Sequence, residues 1–422
     1  MVNPMKGLTG RQFCIIVVVL SIYFFAPTQA IISSVLGDIG AAYPDVSADW
    51  LTYLISINNV AAVISAAFFG VLAGHKIRFR TISIIAMLCF AVGGALPAVL
   101  PLGTPFWILL VTRVVIGIGR GCFVPMVQII LCGMFKDEKT RSDWFGIGNI
   151  TFNLGATFGT VLAGYLGLID WRLCFLFYAF AFIPLALFTF FFHEEDSGIE
   201  KNTGKTLHSL KFEWDVWAHM VLYLLAIVMT QTLWNYASTS MTARGIESDQ
   251  VGLILSTFTV ASMVIGLTIG VIFRATRSFI MALGIGVITI GFVVMTFAID
   301  LPENAILFMF AASALIGIGG CIVTIGCPLS MSLRVSPAAV AGVLSMNEVF
   351  HNLGSFVASP YSQIVFTITG SHDPDSIWAA TIVFGIVVTL LAVVIGFLVR
   401  GNGKKKTTCA QGEAPVVGCC SK

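Results

Sequence analysis

The sequence predicts an all-α membrane protein of twelve transmembrane helices, arranged as two pseudo-symmetric six-helix halves. Three observations carry this. Hydrophobic residues make up 57% of the 422 and charged ones 10%, with a mean hydropathy of +0.95, so most of the chain must face lipid or other helices. Apolar segments of about 20 residues or more, enough to cross roughly 30 Å of hydrocarbon, recur along the whole length. The second half repeats text of the first at an offset of about 200 residues.

The first apolar run extends from Phe13 to about Leu36. That exceeds the roughly 7 to 15 residues of a secretory core, so it reads as a retained helix over 12–36. Further spans fall at 50–73, 80–100, 105–132, 144–168 and 173–192. The longest polar stretch, from His193 to Asp215, follows, and spans resume at 216–241, 250–273, 279–299, 303–331, 338–367 and 376–399. The chain thus divides into an N-terminus (1–11), a first half (12–192), a central loop (193–215), a second half (216–399) and a tail (400–422). The ten cysteines show no metal-ligand spacing. Seven sit singly in apolar segments as small hydrophobes, and Cys409, Cys419 and Cys420 lie in the tail.

Charge sorts by side. About 19 of the 23 Lys and Arg fall in the loops on the side of the two termini, among them Lys76, Arg78, Lys136, Arg141 and Lys205. Arg172 and Arg244 fall on the other side with Asp38, Asp45, Asp170 and Asp300. The positive-inside rule makes both termini cytoplasmic. A miscount by one helix would scramble this segregation. Short loops point to the cytoplasmic membrane of a bacterium.

In the repeat, Val115-Ile116-Gly117-Ile118-Gly119 matches Leu315-Ile316-Gly317-Ile318-Gly319, and Ser56, Val60, Ala61 and Gly70 match Ser256, Val260, Ala261 and Gly270. Asn153-Leu154-Gly155 matches Asn352-Leu353-Gly354. Duplicated six-helix halves are the arrangement of transporters that expose a midplane site alternately to either side. Gly70, Gly117, Gly119, Gly155 and Gly159 are candidate packing or sliding surfaces, since small residues let helix backbones approach.

The chain resembles the major facilitator superfamily over residues 11 to 400. Gly70 to Arg80, GVLAGHKIRFR, is similar to its signature of glycine, three residues, aspartate and basic residues. Gly74 stands where the aspartate is usual and Ile77 where a glycine is usual, while His75, Lys76, Arg78 and Arg80 keep the basic positions. Arg113 with Gly117, Gly119 and Gly121 resembles the arginine and glycine motif of the fourth helix. Gly146, Gly155, Gly159 and Gly164 keep the spacing of a motif of proton-coupled exporters, with Thr160 in place of its proline. The resemblance implies alternating access, gating at the loop that holds Arg78, and a cavity lined by the first, fourth, seventh and tenth helices. That lining favours Gln29, Gln231 and Asn235 as solute contacts, with Trp234 and Tyr236 as walls.

Charges at bilayer depth are costly and mark function or structural pairing. Arg113 and Arg120, seven apart, share a face of the fourth span. Glu348 in the eleventh lies at about the depth of Arg120, and His351 follows it by three residues, on the same side of the helix. In the repeat Arg120 aligns with Gly320, Glu348 with Asn149 and His351 with Phe152. The symmetry is broken where charge appears. Duplicated scaffolding has no need of that, whereas recognition of an asymmetric solute does; the competing reading is a structural ion pair. An arginine fork suits carboxylate or phosphate, and Glu348 with His351 are the candidate proton-coupling groups.

Secondary active transport of a small organic solute, an organic anion held by Arg120 and Arg113 with coupling to protons or exchange, is the leading expectation. A proton-coupled efflux antiporter for lipophilic cations and a non-transporting solute sensor stand against it. The first span lacks the acidic residue common in such exporters, which tilts the reading toward the anion. No nucleotide-binding loop, HExxH or GxSxG occurs, so an ATP-driven pump or an enzyme is disfavoured. Nothing indicates a nucleic-acid partner, a metal, a cofactor or a catalytic residue. The expected partners are the solute, protons and the lipid bilayer, with the monomer as working unit.

Overall fold

The computed structural model describes residues 10–27, 32, 39–40, 42–46, 48–73, 77–101, 103–167, 169–193, 213–242, 248–300, 305–336, 339–370 and 374–410. Gln29, Gly74, His75 and Lys76 lie outside the described residues, as do most of the central loop and the last part of the tail. The first half contains α1 (Gly10–Phe25), α2 (Ala48–Leu72), α3 (Phe79–Val99), α4 (Phe106–Met134) and α5 (Glu138–Gly167). Its sixth pass is a 3-10 segment, Trp171–Ala181, that runs into α6 (Phe182–Phe191). The second half contains α7 (Trp214–Thr242), α8 (Ser248–Gly266) continued by the short α9 (Ile269–Thr276), α10 (Ile280–Asp300), α11 (Ala305–Ser332), α12 (Val340–Thr369) and α13 (Pro374–Ala410). These make twelve passes in two six-helix halves.

Among the described residues, seven segments are by themselves long and apolar enough to cross a membrane. The 30-residue helices α5 and α12 are not among them. Their interiors carry Asn149 and Asn153, and Asn347, Glu348, His351 and Asn352, so the passes least apolar by composition are those that bring polar groups to the middle. Several passes differ in length from the sequence expectation. α5 starts at Glu138 because Asp137 caps it: the Thr140 backbone N–H and hydroxyl both donate to Asp137 Oδ2, each at 2.9 Å. Those bonds hold the exposed Asp137 carboxyl below the usual carboxylate range. α12 ends at Gly370, whose φ of 64° is the left-handed conformation that closes helices and that glycine adopts without strain. α13 carries on to Ala410, past the basic run that the sequence places in the tail.

The internal repeat is legible as packing. α4 sits between α2 and α3, and α11 sits between α8 and α10 in the same way. A methyl group on Gly117 would meet the Asn58 carbonyl oxygen, and one on Gly317 the Phe258 carbonyl oxygen. Gly119 and Gly319 lie as closely on Ala86 and Gly284. Gly155 lies against the Phe24 carbonyl in α1, and its counterpart Gly354 against the Leu224 carbonyl in α7. These positions have no room for a side chain because backbone meets backbone.

The halves touch along two crossed pairs, α2 with α12 and α5 with α8. The second contact lies toward the face at which α1 begins and α13 ends, the terminal face. There Gly146 lies on the Gly266 carbonyl, and Arg141 donates from Nη1 to Ser332 Oγ of α11 at 3.3 Å.

Candidate functional site

α4 delivers Arg120 to the junction of α2 and α12. Its guanidinium Nη1 donates to Asn59 Oδ1 at 2.8 Å and to Asn352 Oδ1 at 3.3 Å. Asn59 belongs to the first half and Asn352 to the second, so one buried cation joins both. Asn352 also donates from Nδ2 to Glu348 Oε1 at 2.9 Å. The amide thereby stands between the two opposite charges, which interact electrostatically. Arg120 is 9% exposed and Glu348 4%. In low-dielectric surroundings such charges persist only when paired and hydrogen-bonded.

His351 is not bonded to Glu348. Its Nδ1 lies 3.0 Å from the Tyr223 hydroxyl, and the two rings are 5.8 Å apart. Tyr223 also lies against Asn347 and feels the charge of Glu348. Tyr23, from α1, feels the same carboxylate and lies against Gln128. Tyr23 and Tyr223 occupy matching positions in the two halves at the offset of the repeat, and they interact with each other. The sequence reading missed both. Their signal was the pairing of two polar aromatics in the opening spans of each half, at the offset of the repeat.

Arg113 stands apart from this cluster, about 10 Å along α4 from Arg120. It is 1% exposed, with its guanidinium carbon 5.0 Å from the centre of the Phe175 ring and 5.6 Å from that of Tyr178. Tyr178 interacts with both arginines. It too was missed, because a tyrosine in the sixth span has no special spacing to the fourth.

The residues expected on the seventh helix lie together. Gln231 Nε2 donates to Asn235 Oδ1 at 3.3 Å, with Asn235 exposed. Trp234 meets Phe258 edge-on at 5.3 Å, and Tyr236 meets Phe366 at 5.8 Å. No direct bond joins these four to Arg120 or Glu348 among the described residues. Gly70 lies in α2, Gly159 is buried in α5, and Arg78 is exposed at the residue before α3. It is Arg80 that ties α3 to α6, donating from Nη2 to the Thr189 carbonyl.

On the opposite face, Arg172 clasps Asp170 through Nε, at 3.0 Å and 3.2 Å, and through Nη2 at 2.6 Å, and reaches the Leu100 carbonyl through Nη1 at 3.3 Å. The hydrogen bonds from Arg172 hold the Asp170 carboxyl below the usual carboxylate range. The Tyr43 hydroxyl donates to the Thr104 carbonyl at 2.8 Å. These ties flank a small surface cavity of about 70 Å³ lined by Tyr43, Pro97, Leu100, Leu109, Trp171 and Arg172, with other residues.

Two pseudo-symmetric six-helix halves around a polar midplane are the architecture of a membrane transporter. The Major Facilitator Superfamily model matches residues 13–236 and again 219–417, and the chain belongs to that family. Its fold is similar to that of the proton:xylose symporter XylE bound to 6-bromo-6-deoxy-D-glucose, at a TM-score of 0.69 and 15% identity, over 90% of this chain and 94% of that one. It is similar also to the human organic anion transporter MFSD10 (TETRAN), at a TM-score of 0.67 and 15% identity, over 91% of this chain and all of the other. No curated protein matches the sequence.

Proposed function

We propose that the protein is a secondary active transporter of a small organic anion, held at Arg120 and coupled to protons or exchange through Glu348 and His351. The carrying observation is Asn352, whose single amide accepts from Arg120 and donates to Glu348 across the meeting of the halves. An arriving carboxylate or phosphate is a stronger acceptor for the guanidinium than a neutral amide oxygen. Taking Arg120 from Asn352 releases the tie between halves and changes the field at Glu348. Solute binding, protonation and rocking then share one set of bonds. Gln231, Trp234, Asn235 and Tyr236 form the wall on the approach in this reading.

In this reading the terminal face is cytoplasmic, in a bacterial cytoplasmic membrane, and the contact of α5 with α8 is the closed cytoplasmic gate. The similar MFSD10 is an organic anion transporter and the similar XylE a proton symporter, which supports an anion as solute and a proton as co-substrate. The monomer is the working unit.

A melting-temperature screen of the purified protein against carboxylates, phosphorylated solutes and lipophilic cations tests this, because a ligand that binds only the folded state raises its stability. An anion should stabilise the parent and fail with Arg120→Ala. Stabilisation by cations alone, abolished in Glu348→Gln, would instead establish the efflux antiporter. Counterflow of the labelled hit in vesicles separates transport from sensing.

A further inference from the structure

Tyr23 and Tyr223 sit in matching places on different chemistry. In the first half the Tyr23 ring rests on α5, where a methyl group on Gly148 would overlap it and Phe152 meets it edge-on at 6.4 Å. In the second half the corresponding positions of α12, at the offset that pairs Asn153 with Asn352, are Asn347 and His351. Tyr223 is hydrogen-bonded to both. The scaffold therefore packs with no polar group at either place, and polar partners stand only in the half that holds Glu348.

The direction of the bonds follows from what each group can give. Asn347 is 1% exposed, and its Oδ1 is buried with no hydrogen-bond partner, so the amide meets the Tyr223 oxygen through Nδ2 and donates to it. The phenol keeps its own proton for His351 Nδ1, 3.0 Å away. A neutral imidazole that accepts at Nδ1 carries its proton on Nε2. Among the described residues no group engages Nε2, and the ring is half-buried rather than sealed. The ring also lies in the field of Arg120, so its open edge belongs to the central site.

We infer that Tyr223, aimed by Asn347, is a positioning residue that holds His351 in its Nε2–H form, and that His351 thereby offers the solute a neutral donor in addition to the charged fork of Arg120. The solute so selected carries a hydroxyl or carbonyl oxygen besides its anionic group. The solute contact rests on the proposed anion at Arg120; the tautomer does not. Within that reading the labour divides: Glu348 takes the proton, and His351, whose basic nitrogen Tyr223 occupies, answers the solute.

Nitrogen-15 NMR of the full-length protein labelled at histidine reads the tautomer without any solute, the His351 signals being those lost in His351→Gln. At neutral pH the parent should show a protonated Nε2 and a bare, hydrogen-bonded Nδ1. Tyr223→Phe should convert this to an exchanging mixture of both tautomers. Asn347→Leu should move it part of the way, and this variant decides if Tyr223→Phe does not fold. A proton on Nδ1 in the parent, or unchanged His351 signals in the folded variants, overturns the positioning role. The solute contact is read by melting temperature with 2-oxopropionate and propionate, which differ by one carbonyl oxygen. The oxo acid should half-saturate the parent at a concentration about five- to tenfold lower, the weight of one hydrogen bond, and His351→Phe at the same concentration as propionate. Equal half-saturation in the parent, or no shift with either acid, overturns the donor role. Stabilisation that is lost in Arg120→Ala, together with the wrong tautomer, refutes this inference alone; the expected tautomer, with stabilisation that survives Arg120→Ala, refutes the central reading alone.

Discussion

Asn352 shows how little it takes to hold two buried charges. Its amide oxygen receives Arg120 and its amide nitrogen serves Glu348, so each charge reaches the other through a neutral group that can be withdrawn. Removing one partner of a buried charged network costs more than the mean value of a hydrogen bond, because the remaining groups stay desolvated. Asn352→Ala should lower unfolding stability by about 1–3 kcal/mol, with no matching loss in the double variant Asn352→Ala/Glu348→Gln beyond that of Glu348→Gln alone. Denaturation in mild detergent reads this as a double-mutant cycle. Simple additivity of the two losses would mean that the amide does not mediate between the charges. The sequence made Arg120, Glu348 and His351 visible by the cost of charge at depth. It did not reveal that His351 pairs with Tyr223, since two neighbours on one helix turn can point to different partners and only the packing of α7 decides between them.

Among the elements, glycine contacts separate packing within a half from contact between halves. A methyl group on Gly155 would overlap the Phe24 carbonyl of α1, in the same half. Backbone cannot swing away as a flexible side chain does, so Gly155→Ala should destabilise the fold by about 1–3 kcal/mol, measured as a lower melting temperature. Gly146 faces the Gly266 carbonyl across the halves. There the two bodies can part, so Gly146→Ala should spare stability and open the terminal face. Alkylation of a cysteine placed at Ser332, buried in the closed form, should then speed up, and an unchanged rate would refute the distinction. On the opposite face the 3-10 entry to the sixth pass depends on Asp170, whose side chain also accepts from the Arg172 backbone N–H at 2.9 Å. Asp170 has a folded pKa below its unfolded value. Its contribution is therefore complete above the ordinary carboxylate pKa of about 3.9 and disappears as pH falls through the depressed value. Asp170→Asn should melt below the parent at neutral pH, and the two curves should converge toward pH 3. A gap that persists there would show that the carboxylate charge is not what fastens this entry.

For the whole molecule, twelve passes and two halves were legible because hydrocarbon thickness, loop charge and duplicated text each constrain the chain independently. Helix ends were less so: α5 begins at a cap and α13 runs on through basic residues, neither of which an apolar run announces. Which face is closed was not legible at all, since both states use the same sequence and differ in free energy by little. The closed terminal face rests on unequal ties. Glu138 and Arg277 approach to 3.8 Å, but the Arg277 side chain is 69% exposed, so water screens the pair and its contribution is about 0–1 kcal/mol. Arg141 is buried; its Nε donates to the Phe135 carbonyl at 3.1 Å, and its Nη1 donates to Ser332 Oγ across the halves at 3.3 Å. Its loss leaves buried groups without partners, so Arg141→Ala should favour the state open at this face by about 1–3 kcal/mol, roughly a 5- to 150-fold change in the ratio of states, whereas Glu138→Ala should change it little. Spin labels at Lys139 and Thr276, with distances read by pulsed electron paramagnetic resonance, report the populations directly. Equal shifts in the two variants would mean that the exposed pair holds the gate as firmly as the buried arginine. A shift confined to Arg141→Ala would locate the closing energy in the desolvated contact between α5 and α11, where solute binding about midway through the same bundle can work against it.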